Sequence, residues 1–244
     1  MRIAAFSDVH GNLTALRAVL AHITRECAPD LVVNLGDHVS GPLQPAETAD
    51  LLMNTRHIAV IGNHDRHLLG APTQMGPSDE FGSRQISDAQ RLWIAGLPQT
   101  TWLDGGIFLC HGTPECDEAY FLENVDECGC KPATEAQIFE RAGGLPAELI
   151  LCGHTHLQRA FRFRDGRLIV NPGSVGVPAF GSDQPHRHKM ESGTPHARYV
   201  LLDNDRGWQV KFMHVEYDWN SASRIAAARH RSDWAIALKT GHVE

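Results

Sequence analysis

Two short segments of the chain pair ligand-type side chains at a spacing that suits metal binding. Asp8 and His10 are separated by one residue, and so are His154 and His156. Near the end of a β-strand, residues i and i+2 point to the same side, so each pair can offer two ligands in one direction. Carboxylates and imidazoles bind metals, and imidazole is also a common acid–base group in catalysis.

Similar side chains occur at three further places, and all five polar blocks directly follow a short apolar run that predicts a strand. Glycines in the blocks allow sharp bends that bring short side chains together. Because ligand sites of open α/β sheets lie beyond the C-terminal ends of strands, we predict that the blocks converge. The strand candidates and their blocks are 2–7 with Asp8-Val9-His10-Gly11, 31–35 with Gly36-Asp37, 58–61 with Gly62-Asn63-His64-Asp65, 107–110 with His111-Gly112, and 149–152 with Gly153-His154-Thr155-His156.

The predicted ligands combine carboxylate, amide and imidazole donors without cysteine. This set suits Mn²⁺, Fe²⁺, Zn²⁺ or Ni²⁺ and is poor for an all-oxygen Ca²⁺ site. Seven donors exceed the shell of one four-coordinate ion and fit two ions about 3.5 Å apart that share a carboxylate. A single Asp or Asn after a strand would be ordinary turn chemistry, but the recurrence favours a metal centre. The predicted ligands are Asp8, His10, Asp37, Asn63, His111, His154 and His156.

In this order, the five blocks resemble the calcineurin-like metallophosphoesterase superfamily. The matching motifs are D-x-H-G, G-D, G-N-H-D, H-G and G-H-T-H, which together span residues 8 to 156, and Asn171-Pro172-Gly173-Ser174 extends the match. The resemblance implies an α/β (α+β) fold, a four-layer αββα sandwich of two mixed β-sheets flanked by helices. It also implies metal-dependent hydrolysis of a phosphomonoester or phosphodiester, with a hydroxide bridging two metals as the nucleophile.

The resemblance further assigns roles to individual residues. His64 would be the catalytic residue that faces the substrate, and Asp37 would bridge two divalent ions, for which manganese is the first choice and iron, zinc and nickel are alternatives. The substrate would be a small-molecule or phosphoprotein phosphoester. One ion would be bound by Asp8, His10 and His156, and the other by Asn63, His111 and His154.

The second block departs from the protein-phosphatase branch of this superfamily. Ser40 stands where that branch has an aspartate that orients the catalytic histidine, and Gly41 stands where it has a phosphate-binding arginine. The chain is therefore more similar to bacterial serine/threonine or dinucleoside-tetraphosphate phosphatase-like proteins and to the smaller phosphodiesterases. We predict substrate contacts from His38 and Arg66, with a solvent-exposed position as the alternative for each.

The remaining segments predict the scaffold. Strand–helix alternation in the first half indicates a parallel sheet, whereas residues 158–163, 167–170, 198–202 and 208–216 predict a second, antiparallel sheet. Residues 71–83, 112–132 and 181–196 are predicted as loops, and the acidic residues of 112–132 would form a negatively charged rim if this segment faces the site. We expect one domain over residues 1–244.

Composition limits the function. With 22 basic and 29 acidic residues, the net charge is −7. This charge and the absence of a basic cluster with interleaved aromatics disfavour nucleic-acid binding, and hence a nuclease. Two divalent ions would still make the pocket positive.

The chain also has no run of about 18 apolar residues, which predicts no membrane partner. The N-terminal apolar run is interrupted by Asp8, which predicts no secretory signal and a cytoplasmic protein. A non-enzymatic scaffold of the same fold, like the retromer subunit of this superfamily, is the other alternative, and the retained ligands and His64 argue against it.

Overall fold

The scaffold consists of two central sheets, with two short hairpins beside them. The computed structural model describes residues 1–244, apart from the side chain of Gln74. Its strands are β1 (Arg2–Phe6), β2 (Leu31–Asn34), β3 (Ile58–Ala59), β4 (Thr101–Leu103), β5 (Ile107–Leu109), β6 (Glu123–Asp126), β7 (Gly129–Pro132), β8 (Leu149–Leu151), β9 (Gln158–Arg162), β10 (Leu168–Pro172), β11 (Ala179–Ser182), β12 (His188–Glu191), β13 (Ala197–Asp203) and β14 (Gln209–Val215).

The helices cover the sheets and line the site. A π-helical turn, Ile23–Cys27, continues the first helix, and a short 3₁₀ turn, Pro72–Gln74, precedes the fourth. The helices are α1 (Leu13–His22), α2 (Pro45–Met53), α3 (Asn63–Leu68), α4 (Pro77–Gln85), α5 (Asp88–Ala95), α6 (Glu135–Arg141), α7 (Trp219–Ala228) and α8 (Ser232–Thr240). Among the described residues, no helix combines the length and the apolar character needed to cross a bilayer.

Both sheets have five strands and mixed direction. The first has the order β14-β13-β1-β2-β3, in which β1, β2 and β3 are parallel. The second has the order β4-β5-β8-β10-β9, in which β5, β8 and β10 are parallel and the two edge strands are antiparallel. The C-terminal ends of the parallel strands carry the five polar blocks.

The sheets pack face to face over an apolar core, and helices cover their outer faces. Val33 of the first sheet and Leu151 of the second lie in this shared core and are fully buried. Leu16 of α1 packs on the outer face of the first sheet, and Ile138 of α6 on that of the second. Strands with both faces buried require such apolar runs, and the predicted αββα sandwich is confirmed.

The prediction for the C-terminal strands was wrong in part. β9 and β10 do join the second sheet, but that sheet is mixed, whereas β13 and β14 extend the first sheet next to β1. Arg2 of β1 pairs with Asp203 of β13, two residues 201 positions apart in sequence. Alternation along a strand indicates which face is buried but not which strand lies beside it.

The three predicted loops contain regular structure, which corrects the prediction for each. α4 begins within 71–83 and runs to Gln85, with Pro77 at its start and Asp79 in its first turn, as helix N-termini favour. Residues 112–132 contain the β6–β7 hairpin, and residues 179–191 contain the β11–β12 hairpin. Their Gly, Pro and Ser residues had indicated loops throughout.

Candidate functional site

The backbone that carries the predicted ligands is strained. Five of the seven residues have positive φ: Asp8 56°, His10 50°, Asp37 56°, His154 70° and His156 59°. Such a conformation costs a non-glycine residue on the order of 1–3 kcal/mol, and it persists where the surrounding structure enforces it, most often at functional sites. The strand-end loops therefore hold these side chains in a conformation that local preference alone would not select.

Glycines make the close approach of these loops possible. A Cβ at Gly62 would lie 2.2 Å from Asp37 Oδ1, and a Cβ at Gly153 would lie 2.1 Å from Ser7 Oγ. Ser174 braces the first block, because its hydroxyl donates to the carbonyl of Asp8 over 2.8 Å. The amide of Asn171 donates to the carbonyl of Gly153 over 2.6 Å, so the 171–174 segment supports two of the strand-end loops.

The first ligand group consists of Asp8, His10 and His156. One ligand atom from each lies within 4.8 Å of the other two. The two Nε2 atoms of His10 and His156 are 3.2 Å apart, and His156 Nε2 is 3.3 Å from Asp8 Oδ1. All three side chains are buried.

The second ligand group consists of Asp37, His111 and His154, again with ligand atoms within 4.8 Å of one another. His111 Nε2 lies 3.2 Å from Asp37 Oδ2 and 3.0 Å from Asn63 Oδ1, so Asn63 belongs to this group. The same Asp37 oxygen is 3.7 Å from His10 Nε2 in the first group. The structure thus brings together all seven predicted ligands, with Asp37 between the two groups.

Each of the four imidazoles is oriented by a backbone carbonyl. A carbonyl only accepts, so the ring nitrogen that contacts it must carry the proton. The Nδ1 atoms of His10, His111 and His156 donate to the carbonyls of Ser40, Leu35 and Val177 over 2.8, 2.6 and 2.7 Å. His154 instead donates from Nε2 to the carbonyl of Glu118 over 3.0 Å. The other nitrogen of each ring faces the remaining ligands of its group, as in histidines that bind metals.

Two carboxylate oxygens in this centre lack any hydrogen-bond partner. Asp8 Oδ1 and Asp37 Oδ2 are both buried and unpaired, although buried polar atoms normally have partners. Burial opposes their ionisation, but neighbouring histidines hold the pKa of both carboxyls below its usual value. Burial also lowers the pKa of His10 to about 4 and that of His154 to about 3, which keeps both rings neutral. Burial would also lower the pKa of His111, but Asp37 and Asp8 raise it to about 10. Two carboxylates surrounded by imidazole nitrogens fit divalent cations.

His64 lies beside the two groups and remains accessible, with 36% of its side chain exposed. Its Nδ1 is 2.7 Å from Asp79 Oδ1, and the hydroxyl of Ser40 donates to the same oxygen over 2.6 Å. Burial alone would lower the pKa of His64, but Asp37 and Asp79 raise it to about 9. The imidazole is therefore protonated at neutral pH and can donate from Nε2.

Sequence reasoning missed Asp79. It lies on α4, within the stretch predicted as a loop, and it supplies the carboxylate that Ser40 does not. The proline at the start of α4 could have predicted a helix there, but no spacing in the sequence predicts its contact with His64. His67, with Nδ1 3.8 Å from the other Asp79 oxygen, completes a third cluster of His64, His67 and Asp79.

The two predicted substrate contacts are placed differently. His38 is fully buried, and its Nδ1 is 2.6 Å from Asp65, so this residue cannot meet a substrate and that prediction is contradicted by its position. Asp65 also accepts hydrogen bonds from the backbone N–H groups of Asp37 and Gly62, and thereby joins two of the ligand loops. Arg66 is 42% exposed at the rim, but its guanidinium is already paired with carboxylates.

The acidic segment 112–132 does lie near the site, and much of its charge is neutralised. Arg66 donates two hydrogen bonds of 2.8 Å to Asp117 and a third of 2.8 Å to Glu118. Arg159 pairs with Glu123 over 2.6 Å, and Lys131 pairs with Asp126. The rim is therefore less negative than its composition had predicted.

Comparison with known proteins agrees with this geometry. A family model of the calcineurin-like phosphoesterase superfamily domain matches residues 1–193. An uncharacterized protein of Methanocaldococcus jannaschii is 24% identical over 95% of this chain and 94% of its own length. A symmetrical bis(5'-nucleosyl)-tetraphosphatase of Burkholderia thailandensis is 31% identical over 50% of this chain and 46% of its own length.

Solved structures match over nearly the whole chain. A metallophosphoesterase from Sphaerobacter thermophilus aligns with a TM-score of 0.75 and 26% identity, covering 99% of both chains. A hypothetical protein from Pyrococcus horikoshii aligns with a TM-score of 0.74 and 19% identity, covering 100% of this chain and 99% of its own. The second of these similarities indicates the fold alone.

Proposed function

We propose, because the chain belongs to the calcineurin-like phosphoesterase superfamily, that its seven clustered ligands form a dinuclear metal centre that hydrolyses a small-molecule phosphate ester. The family is one of metal-dependent phosphoester hydrolases, and the chain is a phosphoesterase hydrolase on that ground. What the proposal adds is the number of metal ions, their ligands and the role of His64.

One observation carries the proposal. The unpaired oxygens of Asp8 and Asp37 lie among four imidazoles whose protonated nitrogens are already held by backbone carbonyls. Burying two carboxylates, each with one oxygen that accepts no hydrogen bond, is costly, and divalent cations between the two ligand groups would compensate this cost. The same pattern argues against a non-enzymatic scaffold, which has no need to retain such a centre.

The ligands divide between two positions. Asp8, His10 and His156 would hold one divalent ion, and Asn63, His111 and His154 would hold the other, with Asp37 contacting both. When bound, such ions supply charge neutralisation at a phosphoryl group and lower the pKa of bound water towards 7. The mixed carboxylate, amide and imidazole donor set suits Mn²⁺, Fe²⁺, Zn²⁺ and Ni²⁺, and we propose Mn²⁺ first because of the family to which the chain belongs.

His64 would act at the leaving oxygen. Its Nδ1 proton is held by Asp79, so its Nε2 proton is the one directed to a substrate. Donation from Nε2 to the departing oxygen would avoid release of an unstable alkoxide, which is the role of a general acid. Asp79 would act through His64, by fixing its ring and favouring its protonated form.

The test is a substrate screen on enzyme whose metal content is measured by elemental analysis. The screen covers phosphomonoesters, phosphodiesters, phosphopeptides, plasmid DNA and dinucleoside tetraphosphate, each with Mn²⁺, Fe²⁺, Zn²⁺ or Ni²⁺. We expect two metals per chain and turnover of a small phosphoester that is lost in His64→Ala. A protein with both metals bound and no turnover of any substrate would overturn the proposal, and cleavage of DNA alone would replace it by a nuclease.

A further inference from the structure

A cavity of about 260 Å³ opens directly onto the proposed metal centre. It is bordered on one side by His10, His64 and His156, and its other wall is formed by β11, the segment before it, α8 and the segment after it. The residues of that wall that face the cavity are mostly apolar: Val177, Ala179, Phe180, Trp234, Ala237 and Val243. We refer to this cavity, with these wall residues, as the apolar slot.

Two aromatic rings of the apolar slot pack against metal-centre imidazoles. The Phe180 ring lies 4.7 Å from that of His156 at an angle of 68°, and the Trp234 ring lies 6.0 Å from that of His10 at 80°. Both are edge-to-face arrangements, which aromatic rings prefer. A group held between Phe180 and Trp234 would therefore lie directly beside the reacting phosphate.

The charged side chains at the edge of the apolar slot neutralise each other. Arg231 donates to both carboxylate oxygens of Asp233, over 2.9 and 2.7 Å, and to the hydroxyl of Ser78 over 2.9 Å. Its guanidinium also lies 5.6 Å from the centre of the Trp234 ring. Because Arg231 is already paired, the slot offers no free positive charge to a second phosphate, and an uncharged group fits it better.

The opposite side of the metal centre differs. A wider cleft of about 600 Å³ there is lined by polar residues that include His67, Glu118, Tyr120, Asn124 and Arg141. His64, His154, Phe180 and Gly181 border both spaces. Phe180 therefore lies between the apolar slot and the wider cleft. The two spaces would bind different parts of a substrate or product.

We propose that the apolar slot binds an uncharged aromatic ring esterified directly to the phosphate, so that Trp234 and Phe180 determine the substrate class. This inference rests on the proposed phosphoesterase function. Size supports it, since an apolar cavity of about 150 Å³ accepts benzene, and the slot must hold one ring system together with part of the phosphoryl group.

The experiment compares 1-naphthyl phosphate with ethyl phosphate, with product detected as released phosphate. Ala237→Leu would fill the slot, and Phe180→Ala would remove one wall. Each variant is compared with wild type on both substrates, so that the intrinsic reactivity of the two leaving groups cancels. Phe139→Ala is the matched control, because Phe139 is a 55% exposed ring on α6 away from the site.

We expect each slot variant to lower kcat/KM for 1-naphthyl phosphate by about 10-fold, mainly through KM. For Phe180→Ala, whose ring packs on His156, the value for ethyl phosphate should fall by less than the naphthyl value. Both values for Phe139→Ala should change by less than about 3-fold. Equal losses for the two substrates in both variants would overturn the proposal, because the substitutions would then act on the metal centre itself. Unchanged values for both substrates would overturn it too.

Calorimetry with 1-naphthylphosphonate and ethylphosphonate, which carry no ester bond to hydrolyse, separates this inference from the proposed function. We expect the naphthyl compound to bind wild type about 10-fold more tightly than the ethyl compound, and the two slot variants to lose the difference. If wild type hydrolyses neither ester but shows this preference, the proposed function fails and the slot stands. If both esters are hydrolysed and the two phosphonates bind equally, the slot fails and the function stands.

Discussion

The strand-end floor of the site and its rim are built in different ways. The floor comprises the five polar blocks, whose side chains are almost all buried, whose backbone is strained, and whose imidazoles are held by backbone carbonyls. The rim comprises the end of α3 from Arg66 onward, α4, α8 and the two hairpins, and it is held largely by side-chain pairs such as Arg66 with Asp117 and Arg231 with Asp233. From this difference we expect metal binding and substrate choice to reside in separate parts of the fold.

The difference follows from the physics of the two regions. The C-terminal ends of parallel strands lie at one edge of a sheet, so the sheet topology alone brings together the short motifs that follow these strands. Rim residues reach the site from elements whose position depends on packing. The predictions below test this division, beginning with the floor.

Metal removal should have the largest effect. We expect a chelator to abolish activity, because one buried oxygen of Asp8 and one of Asp37 have no hydrogen-bond partner in the floor. If metal is present at about 100 times its Kd, its loss costs about 2.7 kcal/mol, which lowers Tm by roughly 5–10 °C for a chain of this size. Calorimetry with and without Mn²⁺ measures this shift. The His64→Ala variant, in which both ligand groups are intact, should show the same shift in Tm on metal removal. If the Tm of the wild-type protein does not change on metal removal, the floor does not bind metal.

Asp37→Asn tests the contact between the two ligand groups. We expect kcat to fall by on the order of 100-fold or more, because an amide is a weaker bridging ligand than a carboxylate. Elemental analysis of the same preparation should find less than the full metal content. Asp88→Asn, an exposed change at the start of α5, is the control. A fully active Asp37→Asn enzyme with both metals intact would contradict the bridging role.

Asp79→Asn tests the point at which the rim reaches the floor. We expect kcat to fall by about 10-fold for an alkyl phosphate and by less for p-nitrophenyl phosphate, because a good leaving group needs less help from an acid. A purely structural role for Asp79 would lower both rates equally, and that result would contradict its action through His64. Glu80→Gln, the neighbouring carboxylate on α4, should leave both rates unchanged.

The convergence of the floor residues could be predicted from the sequence because each block is local. Asp8 and His10 follow one strand, His154 and His156 follow another, and the αββα layers follow from the same apolar runs. It failed where the partner is distant. The sequence showed that Ser40 replaces an expected aspartate, but it did not show that Asp79 supplies a carboxylate there, because the position of Asp79 depends on how α4 packs. Likewise, His38 points inward because its ring contacts Asp65. The neighbours of β13 could not be predicted for the same reason.

Arg66→Ala should have the smallest effect and marks the outer limit of the site. Arg66 was predicted to contact substrate, but its three hydrogen bonds to Asp117 and Glu118 occupy the guanidinium. Exposed ion pairs contribute about 0–1 kcal/mol to stability, so we expect kcat/KM to change by less than about 3-fold, as for a surface substitution. Steady-state kinetics beside Arg84→Ala, another exposed paired arginine, measures this. A rise in KM of about 10-fold, equivalent to 1.4 kcal/mol, confined to Arg66→Ala would mean that the pair opens to bind phosphate, and the rim would then take part in binding the anion as well as in selecting its ester group.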